Sequence, residues 1–275
     1  MIKSFFKKQK STIPEDKIST ALALQNKNFF WNPSNGIPNI GDYLAFETVN
    51  YLLNLKDLHP SEIKSGKILS IGSVLHFAQT GDVVWGTGKN GKIVEEKHNF
   101  LDLDVRAVRG PNTREYLERK GINVPENFGD PGILSPLVYP KHILEQLFEC
   151  PKSDFVIVPQ LNDNLDKYKG FEKNLVSPRQ FPAKFLSKII NAQLVIASSL
   201  HGIILAEAFG IPAIFFNSGS GETMFKYEDY YYGTGREAFF AESRLKACFD
   251  KATPPIPDIN DRQKALIQCF PFDRY

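Results

Sequence analysis

The chain has 275 residues, 42% hydrophobic and 23% charged, with a formal net charge of +2. That is enough apolar material for one large core or two modest ones, which excludes a wholly disordered chain, and the near-neutral balance provides no global basic field for nucleic acid. Cys150, Cys248 and Cys269 are odd in number and lack metal-ligand spacing, which predicts a reducing compartment, the cytoplasm, in place of a disulfide framework.

The start carries Lys3, Lys7, Lys8 and Lys10 beside Phe5 and Phe6. The expectation is a solvated tail, the alternative a reversible contact with an anionic lipid face. The first thirty residues lack the apolar stretch of an export signal, and nowhere do about eighteen apolar residues run together to span a bilayer. Apolar runs rich in Ile, Val and Phe recur, each followed by a Gly-containing loop and a helical pattern, the rhythm of parallel βα units in an α/β fold. Strands are predicted at 28–31, 67–71, 83–85 and 105–108, with helices near 43–55 and 112–120, the second opened by Pro111 and closed by Gly121. After the polar stretch 139–153, strands are predicted at 155–158, 194–197 and 213–216, with a helix at 203–209 closed by Gly210. Two Rossmann-like lobes follow, residues 1–145 and 146–275, facing across a cleft where ligands meet the carboxyl ends of the strands. The tail beyond Pro257 is expected to return across the first lobe.

Several segments could carry chemistry. Asn39-Ile40-Gly41-Asp42 precedes an amphipathic helix, so Gly41 lets the backbone approach a ligand while Asp42 caps the first turn; a simple cap is the plainer alternative. Trp85-Gly86-Thr87-Gly88 leaves a buried strand with backbone N–H groups and a hydroxyl, and its aromatic suits a sugar face, although an ordinary turn would read alike. Strand alternation through Arg106 to Val108 directs Arg109 out at the carboxyl end, beside a helix start that suits phosphate or carboxylate, with a surface ion pair to Glu115 or Asp130 as the alternative. Gly129-Asp130-Pro131 reads as a turn near the cleft mouth, and Asp102-Leu103-Asp104 as a chance match to the metal-binding pattern of sugar transferases. The strongest signal is Ile196 to Gly202, where an apolar strand runs into Ser198, Ser199, Leu200, His201 and Gly202 at a helix start. An imidazole there can exchange protons near neutrality or hold an anion. Lys226-Tyr227-Glu228-Asp229-Tyr230, in an expected loop after Gly-rich 218–221, gathers a cation, acids and aromatics suited to a sugar.

In this order and approximate spacing, the motifs at 39–42, 85–88, 109–113, 129–131, 199–202 and 226–230 make the chain resemble the polysaccharide pyruvyltransferase family. The resemblance implies two lobes in a GT-B-like arrangement, phosphoenolpyruvate as donor, a saccharide acceptor that can be lipid-linked, and neither metal nor cofactor. It implies donor contacts from Arg109 and His201, supported by Ser198, Ser199, Leu200, Gly202 and Lys226. Catalysis would fall to His201, with Asp42 and Asp229 serving the acceptor hydroxyls, and acceptor contacts to Asn39, Trp85, Thr87 and Tyr230. Many members carry arginine where this chain has Ser199, so Arg179, Lys226 or Arg106 is expected to replace that cation. A sialyltransferase-like GT-B enzyme using a nucleotide sugar, or an inactive sugar-binding protein of the same fold, is the rival reading.

Overall fold

The computed structural model describes residues 27–31 and 39–275, so the basic start lies outside the described residues. Among the described residues eight strands form two parallel sheets in chain order. β1 (Asn28–Phe29), β2 (Ile68–Leu69), β3 (Val83–Trp85) and β4 (Asp104–Ala107) make the first, and β5 (Val156–Val158), β6 (Val195–Ala197), β7 (Ala213–Phe216) and β8 (Ala241–Glu242) the second. Register runs Ile68 to Val83 to Asp104 in one sheet and Val156 to Val195 to Ala213 in the other. Neither order reverses among the described strands, so no crevice opens within a sheet at a switch point. The cleft lies between the two sets of strand ends.

The helices are α1 (Ile40–Asn54), α2 (Pro111–Arg119), α3 (Ser135–Val138), α4 (Lys141–Leu147), α5 (Pro182–Ile189), α6 (Leu200–Ala208), α7 (Phe225–Gly233) and α8 (Asn260–Gln268). α1 buries Ile40, Leu44, Ala45, Thr48, Val49, Leu52 and Leu53, the stripe of a helix with one face on a core. It starts earlier than its apolar pattern suggests, because extended Asn39 holds the cap position and Asp42 falls inside the first turn. α6 is apolar nearly all round and buried accordingly, packed on β6 and on the turn Pro131–Leu134. The segment 226–230, expected as a loop, belongs to α7: Tyr227, Tyr230 and Tyr231 recur at helical spacing and bury one face.

One apolar cluster joins Val83, Trp85 and Ala107 of the first sheet to Val156, Val158 and Val195 of the second through α1 and α6. The two sheets therefore share a core. The C-terminal segment closes it from the first-sheet side. Trp85 is wholly buried, donates its indole N–H to the Leu266 carbonyl at 2.9 Å and meets the Phe270 ring edge-on at 4.9 Å. Gln263 Nε2 donates to the Ile133 carbonyl at 2.7 Å. Arg106 is forked onto Asp104 at 2.6 and 2.9 Å and onto Asp273 at 2.9 and 2.7 Å, with Arg274 adding a second cation to Asp104 at 3.1 Å. Arg106 thus fastens the tail and is no cleft cation.

Because its ring fills the junction of sheet and tail, Trp85→Ala should cost about 3–5 kcal/mol of stability. Urea unfolding measures this, and an unchanged midpoint would place the indole outside the core.

Candidate active site

A cleft of about 380 Å³ lies where the loops after both sets of strands converge. The first sheet contributes Trp31, Gly72 to Val74, His76, Phe77, Asn90 and Lys92, and the second Gln160 to Asn162, Ser199 to His201, Glu222 and Lys226. Asn39 and Asp42 enter from the start of α1.

His201 is the residue around which this end of α1 is built. Its ring lies so close to Gly41 that a Cβ there would overlap Cε1 and Nδ1, so the residue before Asp42 has to lack a side chain. The side chain of His201 is 19% exposed, and Nε2 faces the buried Asp130 Oδ2 at 3.9 Å. That separation is too long for a hydrogen bond, but the aspartate charge favours a proton on Nε2 and leaves Nδ1 as the basic nitrogen. Asp130 is held by accepting the Gly132 N–H at 2.9 Å through Oδ1. Its Oδ2, His201 Nε2 and Asp42 Oδ2 have no hydrogen-bond partner among the described residues. Burial pushes the His201 pKa below 6.5, against the pull of Asp130 and with the help of Lys226 and Arg109. Burial also raises Asp42 to about 7, against the opposing pull of the Asn39 side chain. Near neutrality the cleft therefore holds a neutral imidazole and a carboxyl poised to hold or release a proton.

A second group of side chains gathers at the cationic end. Glu222 accepts hydrogen bonds from Lys226 Nζ at 2.7 Å, from Gln160 Nε2 at 3.2 Å and from Lys92 Nζ. Burial disfavours its charge, yet the two lysines hold the Glu222 carboxyl below its ordinary value. Burial in turn pulls the Lys226 ammonium below 10.5, with Glu222 opposing. Two cations and an amide thus already surround one carboxylate.

Arg109 and Asp229, expected as donor contact and acceptor base, are instead partners. Both side chains are 0% exposed, and Nε donates to Asp229 Oδ2 at 3.0 Å. Arg109 Nη2 donates to the Lys89 carbonyl at 3.0 Å, and Thr113 donates to Asp229 through its backbone N–H at 2.9 Å and its hydroxyl at 2.6 Å. Arg109 reaches the cleft through Ser73, whose Oγ accepts from Nη1 at 2.6 Å. The backbone of α7 passes so close to Gly110 that a Cβ there would overlap the Asp229 carbonyl.

The remaining expected residues divide in the same way. Ser199 and Leu200 line the cleft, with Ser199 Oγ capping α6 by accepting the Gly202 N–H at 3.3 Å. Ser198 turns inward and donates to Asp163 at 2.5 Å. Thr87 shapes the cleft from below: its hydroxyl donates to the Gly72 carbonyl at 2.8 Å and accepts the Val74 N–H at 3.2 Å. Trp85 and Tyr230 do not reach the cleft, since Tyr230 is buried with its hydroxyl on Glu207 at 2.6 Å. Exposed Arg179 donates to the Leu161 carbonyl at 2.9 Å, beside the cleft residues Leu161 and Pro178. The sequence points to Asp130 only as part of a turn near the cleft mouth, and to none of Trp31, His76, Phe77, Lys92 and Glu222 as site residues. Lys92 and Glu222 follow glycine-containing turns after strands, a position that could have flagged them.

A family model described as polysaccharide pyruvyl transferase matches residues 39–220, from Asn39 to just short of Glu222. The succinoglycan biosynthesis protein ExoV of Rhizobium meliloti (strain 1021) is 26% identical over 220 residues, covering 74% of this chain and 63% of ExoV. The chain thus spans less than two thirds of that relative's length. No solved structure matches.

Removing one member of the buried pair strands the other charge, so Arg109→Met should cost about 3–5 kcal/mol. The double variant Arg109→Met/Asp229→Leu should recover part of that loss in chemical denaturation. Equal stability of Arg109→Met and the parent would show that the pair does not hold the loops.

Proposed function

As the chain belongs to the polysaccharide pyruvyl transferase family, we propose that it moves the pyruvyl group of phosphoenolpyruvate onto two hydroxyls of a saccharide, forming a cyclic ketal. The observation that carries this reading is the meeting, in one cleft, of a proton-exchanging group and a cationic clamp. His201 and Asp42 form the first, Lys92 and Lys226 the second. The donor carries a carboxylate and a phosphate, and the two lysines are the cations that suit them. In this reading the incoming anion takes the place of the Glu222 carboxylate between the lysines. The ammonium groups then meet the donor with their charge already drawn together.

The chemistry needs one acid and one base. Asp42, protonated below about 7, supplies a proton to the methylene carbon of the donor. The central carbon gains positive character and one sugar hydroxyl attacks it, giving its proton to His201 Nδ1. The carbon–oxygen bond to phosphate then breaks, and phosphate leaves beside the lysines, taking the proton held on His201 and returning the imidazole to its neutral form. Attack by the second hydroxyl closes the ketal and releases the last proton, which returns Asp42 to its starting form. The acceptor is a surface polysaccharide or its lipid-linked precursor, met at the inner membrane face. No described helix is long and apolar enough to cross a membrane, which suits a peripheral contact there.

Incubation with phosphoenolpyruvate and a panel of glycosides should yield a glycoside with an added pyruvyl ketal by mass spectrometry, together with one phosphate. Thermal stabilisation by phosphoenolpyruvate and not by CMP is expected, and the reverse would favour a nucleotide-sugar transferase. His201→Gln, which keeps the space beside Gly41 filled, should lower kcat by about 10²–10⁴ while leaving the unfolding midpoint close to that of the parent. In the parent, kcat/KM should fall as pH rises through about 7, where Asp42 loses its proton. It should fall again at low pH, as His201 gains one below its ordinary 6.5. In Asp42→Asn the residual rate should lose the alkaline limb, and a profile unchanged by that substitution would remove Asp42 as the acid.

A further inference from the structure

The cleft is chemically different at its two ends. Strand order puts the loop after β3, with Lys92, toward one side, and Trp31 just after β1 and the loop after β2 toward the other. On that other side stand Trp31, His76 and Phe77. The Phe77 ring is the backing: it lies 5.0 Å from Phe29, 5.2 Å from Trp31 in a stacked arrangement, and 4.1 Å from the His76 ring. Trp31 nevertheless remains 43% exposed, whereas Trp85 is fully buried. An indole stacked on Phe77, partly exposed and lining the cleft, offers apolar area that a ligand can cover. Burial, with His98 adding to it, holds His76 below its ordinary 6.5, so this wall carries no cation. The surface is aromatic and uncharged.

We infer that Trp31, backed by Phe77 and flanked by His76, is the acceptor subsite, and that it takes a neutral pyranoside with the face of its ring on the indole. This rests on the pyruvyl-transfer reading for its role but not for its chemistry. The C–H groups on one face of a pyranose are apolar and slightly positive, and they meet the negative face of an aromatic ring favourably. The sugar's hydroxyls lie around its edge. A ring seated on Trp31 turns that edge toward Asp42 and His201, with the donor beyond them on the lysines. The aromatic that sequence reasoning sought in Trp85 is supplied by Trp31.

The chain has two tryptophans, and with Trp85 buried, ligand-dependent fluorescence reports Trp31. Methyl glycosides of glucose, galactose and mannose, titrated into the full chain, should protect Trp31 from iodide quenching, whereas glycerol should not. In the transfer assay Trp31→Ala should raise the acceptor KM about tenfold, the worth of one aromatic contact, with Trp31→Phe recovering most of it. The stabilisation by phosphoenolpyruvate and kcat at saturating acceptor should stay at parent values. An indole that stays open to iodide at saturating glycoside, or an acceptor KM unmoved in Trp31→Ala, overturns the subsite. If glycosides protect Trp31 and no ketal forms with phosphoenolpyruvate, the transfer reading fails and the saccharide site stands.

Discussion

The buried Arg109–Asp229 pair is the constraint on which the cleft depends. It removes two charges from water, and such a pair is tolerated only when the remaining donors and acceptors are satisfied. Here they are: Ser73, Lys89 and Thr113 complete the set, and each lies on a loop or helix start at the mouth of the first sheet. Asp229 belongs to α7, which also carries Lys226, so the ion pair locks the helix with one clamp lysine against the loops that bear Ser73 and Lys92. Arg109 serves the site by holding its walls, and touches the cleft only through a serine.

Within those walls the electrostatics are divided by position. At the His201 end burial dominates, so imidazole and Asp42 are both held nearer their neutral forms. At the Lys226 end burial is outweighed for Glu222, because two ammonium groups face one carboxylate. A neutral acid–base pair beside a preassembled cationic clamp suits a reaction that moves protons while an anion departs. Gly41 is the hinge between structure and chemistry: its missing side chain is what lets the imidazole lie against the start of α1.

Strand positions were legible because buried parallel strands are short apolar runs, and β3 and β7 stand at the predicted residues. His201 and Asp42 were legible as well, since a polar side chain just after a strand or at a helix start has few places to go but the cleft. Side-chain direction was not. Trp85 sits at a strand end next to two glycines, yet its pleat faces the C-terminal segment, a partner 181 residues away that no local pattern reveals. Asp229 and Tyr230 lie outside the cleft because the run of tyrosines expected as a loop is a helix, whose spacing turns both inward. Glu222 and Lys92 meet from segments 130 residues apart, and only the fold brings them together. The shared core that joins the sheets is a property of packing between distant helices, outside the reach of a reading by local periodicity.

The proposed pyruvyl transfer requires phosphoenolpyruvate to bind between His201 and the two lysines. Titrating it into isotopically labelled protein while following the histidine ring resonances tests this directly. His201 should shift saturably while His59 and His142, which do not line the cleft, stay fixed; saturation of the protein with donor while the His201 signals remain unmoved would contradict binding at this site.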